Sequence, residues 1–381
     1  MKILKIVISG FRLLKDNFTL DFMPIQPNKK PEYDGELSSI ADRVYLPVCQ
    51  AFLGNNGEGK TSVLQVLYYC YSLLAQGRIA YHSMDFSKEA IHLKVYFSYE
   101  DNLYLYETRV LPPNQTSFTH EVYCRLTNQK LFTRKLPHYH FKTFWSGRYV
   151  PLFHKLSCSL EDTALTDYLH MKTPSIFFIK AENDTKMIYS ALQLLSQLDE
   201  DEREDVMKIF HLPFSKFDLS LGENHLRLFV NKEWINMSAS TLAEIISKGT
   251  IRGLCLYESI CLALKEGSIV IVDELENSIP HELVLELMNL FLDSELNRHG
   301  ARLYFSTYNM EILDVFHRYD NIHVVKRNIE GFINAMNLYT SFHTTMRVMK
   351  SKMIRNSSQF LKPEWNLIHH LRKILLRKIR S

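Results

Sequence analysis

Apolar and polar positions alternate from the start of the chain. Ile3 to Ile8 reads as a strand, and a second candidate strand, Asn17 to Phe22, follows around the turn-forming Ser9-Gly10. A polar loop from Pro24 to Ser39 closes this hairpin. Val44 to Leu53 is then a mostly apolar run of strand length ending at Gly54, and Thr61 to Leu74 is apolar-rich over helical length. From Ala90 to about Lys135 short alternating runs separated by turn residues predict an antiparallel meander. Residues 151 to 246 lose the period of two and gain helical stretches, among them Thr185 to Leu198, which runs into the acidic segment Asp199 to Asp205. We read that segment as a solvated helix end or turn. The last third alternates: helix 251 to 265, strand 268 to 272, helix 281 to 293, strand 301 to 306, helix 309 to 317, strand 322 to 325. Such alternation predicts a parallel sheet covered on both faces.

At 381 residues and 46% hydrophobic, the chain has material for two or three domains with ample core. Low Gly and Pro counts exclude collagen and low-complexity classes. No apolar run approaches the roughly 18 to 20 residues that cross a bilayer. The first residues read as a strand and not as a signal peptide, which sets the cytoplasm as the expected compartment. Cys49, Cys70, Cys124, Cys158, Cys255 and Cys261 have no C-x-x-C spacing, so we expect reduced core residues and no zinc site. The net charge of +3 conceals a split, because residues 341 to 381 carry ten Lys or Arg against one Glu. An anionic partner would meet this tail first.

Chemistry concentrates in Gly54-Asn55-Asn56-Gly57-Glu58-Gly59-Lys60-Thr61, a full match to G-x-x-x-x-G-K-[ST] between a strand and a helix. Glycines let backbone N–H groups wrap phosphates, Lys60 reaches the β- and γ-phosphates, and the Thr61 hydroxyl ligates Mg²⁺, with Ser62 beside it on the first helical turn. Such a loop needs a carboxylate at the end of a neighbouring strand. Ile269-Val270-Ile271-Val272-Asp273-Glu274 supplies it: Asp273 as the metal acid, Glu274 as the residue that orients or deprotonates water. The expected cofactors are ATP and Mg²⁺.

With their surroundings these residues resemble the ATP-binding-cassette class of P-loop ATPases, in the branch of the chromosome-maintenance, RecF-type and overcoming-lysogenisation-defect-like proteins. Ile8-Ser9-Gly10-Phe11-Arg12 resembles the opening G-F-R element of that branch, which implies that Arg12 lies near the nucleotide. Ser247-Lys248-Gly249-Thr250-Ile251-Arg252 resembles its signature segment. Glu276-Asn277-Ser278 resembles the stretch after the Walker B acids, and Phe305-Ser306-Thr307-Tyr308-Asn309 stands at the switch. The resemblance implies an α/β fold with a mixed central sheet, an antiparallel β-subdomain and a helical lobe. It further implies a head-to-tail homodimer in which Ser247 and Gly249 cap the γ-phosphate of the other copy's ATP.

The pattern is departed from in places. Tyr308 replaces the switch histidine, and a phenol does not serve as an acid or base near pH 7 in the same way, so turnover is expected to be slow. His281 follows Pro280 where the family often has L-H-P, and is read as a polar residue in a first helical turn. Gln76, Gln115, Gln129 and Gln193 all remain open as the metal-contacting glutamine. The resulting division is a nucleotide-binding lobe with the β-subdomain over 1–150, a helical lobe over 151–246, signature, Walker B and switch over 247–340, and a basic extension over 341–381. In that extension Trp365, Ile368, Leu371, Leu375 and Ile379 fall at helical spacing, giving a helix that docks on protein, on nucleic acid or on a membrane surface. The expected function is ATP-driven closure of a homodimer that controls a separate effector, in a bacterial defence setting. A RecF-like DNA repair ATPase and an ATP-binding scaffold with slow hydrolysis are the alternatives.

Overall fold

The computed structural model describes residues 1–25, 35–41, 44–114, 122–137, 144–157, 169, 171, 174–179, 185–222, 225–277 and 279–345. One sheet is antiparallel. It consists of β1 (Lys2–Ser9), β2 (Phe18–Asp21), β6 (Ile91–Tyr99), β7 (Asn102–Leu111), β8 (Arg125–Lys135) and β9 (Val150–Ser157), in the order β2-β1-β6-β7-β8-β9. The expected meander is therefore the middle of a larger sheet that begins with the N-terminal hairpin.

The second sheet carries the site. Its strands are β5 (Cys49–Leu53), β10 (Ile176–Ile179), β14 (Ile269–Val272), β15 (Arg302–Thr307), β16 (Ile322–Arg327) and β17 (Ile333–Asn337), in the order β10-β14-β15-β5-β16-β17. All neighbours are parallel except β16 and β17, so the sheet is mixed. The period of two sorts its side chains between two cores. Ile269, Ile271 and Tyr304 pack with helix α1 (Lys60–Gln76) and the inner face of the antiparallel sheet. Val270, Val272 and Phe305 pack with α5 (Lys248–Glu266) and α6 (His281–Leu292) on the other side.

Several expectations need correcting. Val44 to Leu53 is two strands: β4 (Val44–Pro47) pairs antiparallel with β3 (Leu37–Ala41), and β5 enters the central sheet. Residues 151 to 246 hold helices α2 (Thr185–Leu195), α3 (Glu200–Ile209) and α4 (Ala239–Ile245). They also hold most of β9, all of β10, and a three-stranded sheet of β11 (Lys216–Asp218), β12 (Leu226–Val230) and β13 (Glu233–Met237). The acidic segment is a helix start, since the Asp199 carboxylate accepts the Glu202 N–H at 2.8 Å and Glu200, Asp201 and Glu202 sit at the favourable end of the α3 dipole. Where a helix was expected over 309 to 317 there is only a short 3₁₀ turn, Glu311–Val315, because the Asn309 side chain takes the Glu311 N–H at 2.9 Å and starts a tighter turn. After β17 the chain forms α7 (Leu338–Thr345); the helix expected around Trp365 lies outside the described residues. Cys49, Cys70, Cys124 and Cys255 are buried free thiols, Cys261 is half-buried, and Cys158 lies outside the described residues. Among the described residues no metal-binding cluster of His, Cys, Asp or Glu occurs, and no helix is long and apolar enough to cross a membrane.

His323 on β16 makes the fold pH-sensitive. Its ring is stacked on Phe52 at 5.3 Å, is 3% exposed, and has no hydrogen-bond partner for Nε2. Burial lowers its pKa to about 4. The unfolded chain takes up a proton near pH 6.5 while the folded chain stays neutral until about pH 4. Stability is thus complete above pH 6.5 and declines as the pH falls through that window, by about 3 kcal/mol in all. Urea midpoints measured from pH 7.5 to 4 should show this decline, and His323→Phe should flatten it; an equally steep decline in the variant would refute the assignment.

Candidate functional site

The glycine loop joins the C-terminal end of β5 to the N-terminus of α1, where four backbone N–H groups lack helical partners. Its glycines are dictated by close approach. A Cβ at Gly54 would lie 2.5 Å from the Val325 carbonyl oxygen, and Gly59, at φ +100°, has Ile333 Cδ1 at 2.3 Å from the position a Cβ would take. The Glu58 carboxylate accepts the Arg327 N–H, and Arg327 Nε donates to Gly57 O at 2.8 Å. The hairpin of β16 and β17 thus braces the loop from outside. The Glu58 side chain serves that brace, leaving only its backbone for phosphate.

Lys60 is buried, and its Nζ donates to Gly54 O at 2.7 Å and Asn55 O at 3.1 Å. Burial lowers its pKa, while Glu274, Glu276, Asp273 and Glu58 act in the opposite sense. Thr61 Oγ1 donates to Asp273 Oδ2 at 2.7 Å, across 212 residues of sequence. Ser306 Oγ, fully buried on β15, donates to Asp273 Oδ1 at 2.6 Å and accepts the Glu274 N–H at 2.7 Å. Hydroxyl and carboxylate oxygens already in contact are the hard donor set that suits Mg²⁺.

Glu274 stands in the left-handed region, at φ 51°. Such a backbone is held by its surroundings. Arg252, 6% exposed on α5, reaches back to donate to the carbonyls of Asp273 and Glu274, the latter at 2.8 Å, and Asn277 Nδ2 lies 3.3 Å from Glu274 Oε2. Five residues before Arg252 in the same segment, Ser247 caps α5: its Oγ accepts the Thr250 N–H at 3.1 Å and donates to Thr250 Oγ1 at 2.9 Å. Ser247 and Lys248 are exposed and Gly249 half-exposed, so the segment faces solvent while its arginine holds the acids from within.

Arg12, at φ 43°, donates from Nε to Asp85 Oδ1 at 2.7 Å and from NH1 to Ser62 Oγ at 3.2 Å, which brings it to the first turn of α1. Asp85 is buried and also accepts from the Tyr69 hydroxyl at 2.6 Å. Tyr308 is held by its backbone, its N–H donating to Glu276 Oε1 at 2.8 Å, while the side chain is 53% exposed. His281 opens α6, as expected. Gln76 closes α1, about 24 Å along the axis from Lys60; Gln129 bonds the Tyr106 hydroxyl; Gln193 is exposed on α2; Gln115 is outside the described residues. Asp85 and the Arg327 brace were absent from the sequence reading, and Ser306 entered it only as part of the switch segment, without its bond to Asp273. No local spacing marks them.

A glycine loop at a helix start, with its threonine touching a strand-end acid two strands away, defines a P-loop ATPase domain of α/β fold. The chain belongs to the family described as AAA domain, putative AbiEii toxin, Type IV TA system, whose model matches residues 51–314. Similar solved structures include an SMC head domain from Thermotoga maritima, at 11% identity over 88% of this chain and 99% of that chain, with a TM-score of 0.40. Another is cbiO1 from Clostridium perfringens, part of an ABC transporter complex, at 12% identity over 91% and 96%, with a TM-score of 0.34. A third is the recombination mediator RecF with ATPrS, at 11% identity over 88% and 98%, with a TM-score of 0.35. No curated protein matches the chain.

Proposed function

We propose that the chain hydrolyses ATP to ADP and phosphate, and that ATP joins two copies head to tail. Lys60 and the loop N–H groups hold the phosphates, Arg12 and Ser62 flank them, and Glu274 orients the attacking water. Thr61 and Asp273 would hold Mg²⁺, which neutralises phosphate charge. The observation that carries the dimer reading is the two-sided signature segment: Ser247 and Gly249 reach solvent, and Arg252, one turn on, grips the backbone of Asp273 and Glu274. A γ-phosphate bound at the exposed end by another copy would bear on the acids that act on this copy's own nucleotide. Tyr308 in place of a histidine keeps turnover slow. The family's description, which names a putative toxin of a Type IV TA system, fits a bacterial defence setting. Control of a separate effector by the nucleotide state is our own reading. Four buried free thiols suit a reducing cytoplasm.

Mixing tests the composite site. Lys60→Ala and Ser247→Arg protomers should each be inactive alone. Together they should recover part of the wild-type rate, because a mixed pair contains one site with both halves intact. No recovery from two folded variants would remove the head-to-tail arrangement and leave a nucleotide-binding monomer.

A further inference from the structure

The outer face of the antiparallel sheet holds a bay of about 400 Å³, bounded by His92, Lys94, Glu107, Arg109, Asn128 and Lys130. It faces away from the glycine loop. Leu93, Val95, Tyr106 and Leu131, which alternate with these residues along the strands, point inward to the core shared with α1. Strand register sets the layout. Lys94 stands opposite Glu107, and Glu107 opposite Lys130; one step along, His92 stands opposite Arg109. An extra residue in β8 at Asn128, with φ 52°, shifts the register between these two rows, and such a bulge bends the strand and opens the bay beside Arg109.

The charges do not cancel. Glu107 is engaged by Lys94 at 2.7 Å. Among the described residues neither Arg109 nor Lys130 has a carboxylate partner, and Arg109 Nε is shielded from water with no hydrogen-bond acceptor. An oxyanion in the bay would offset the positive charge that this pair leaves without a carboxylate. The fork of a guanidinium matches two oxygens of one phosphate, and a flanking ammonium adds a point charge. We propose that this bay is a second phosphate-binding site, with Arg109 as the fork and Lys130 beside it.

The test uses the full chain with its glycine loop saturated by Mg²⁺ and a non-hydrolysable ATP analogue, whose own isotherm reports on the ATP reading separately. Calorimetric titration with inorganic pyrophosphate should show one further equivalent bound. Arg109→Ala should weaken it at least tenfold, Lys130→Ala several-fold, and Arg109→Lys should restore part, with analogue binding and the unfolding midpoint unchanged. A ten-residue single strand of thymidylate is titrated in parallel. If it binds more than tenfold tighter than pyrophosphate, the phosphate is that of a nucleic acid strand; comparable or weaker binding assigns a free phosphate ligand. No uptake of either probe beyond the filled loop, or uptake unaltered by both alanine variants, would overturn the site.

Discussion

Glu274→Gln should reduce ATP turnover by at least about a hundredfold, the lower bound for losing a general base, while ATP still binds. That loss is about 2.7 kcal/mol of barrier. The substitution keeps side-chain size, the left-handed backbone and an oxygen for Asn277, so the site's shape survives. What is removed is the negative charge and, with it, the ability to take a proton. If ATP holds two copies together until it is cleaved, the variant should elute as a dimer with ATP and as a monomer without it. Lys60→Ala should elute as a monomer in both cases, since its loop no longer holds the phosphates. Sizing chromatography with and without ATP, beside phosphate release, separates these outcomes. Identical elution of the two variants would contradict the scheme.

Asp320→Ala should cost about 3 to 5 kcal/mol of stability, the range for removing one partner of a buried ion pair. Asp320 and Arg318 are both completely buried. Asp320 Oδ1 accepts from Arg318 Nε at 3.0 Å, and Oδ2 from NH2 at 2.6 Å and from the Ile25 N–H, also at 2.6 Å. Alanine leaves a charged guanidinium in the core just before β16. Urea unfolding at pH 7.5 should show a markedly lower midpoint, with Asp320→Asn in between because its amide oxygen still accepts. A shift worth less than about 1 kcal/mol would mean that the pair is solvated or that its neighbours rearrange.

What the sequence disclosed, and what it withheld, divide by sequence separation. The glycine loop and the two acids after β14 are legible because their chemistry demands fixed residues within a few positions. So were α1, α5 and the alternation of strands and helices, since burial on one stripe or both sheet faces leaves a periodic trace. The break at Val48 left none, because a strand pairing in one sheet and a strand entering another are both simply apolar. The partners that complete the site were equally silent. Arg12 meets Asp85 across 73 positions and Arg327 meets Gly57 across 270. Such contacts are set by how sheets stack, which no local window records.

The central sheet also dictates when the nucleotide pocket can exist. β5, which launches the glycine loop, lies between β15 and β16, strands that follow it by some 250 residues, and Ile333 supplies the wall against Gly59. On the ribosome the loop emerges early but lacks its flanking strands until β15 and β16 have been made, and its backing until residue 333 has followed. A nascent or truncated chain that stops short of β17 therefore has the motif without the pocket, and nucleotide first becomes a stabilising ligand as the end of the described fold leaves the exit tunnel.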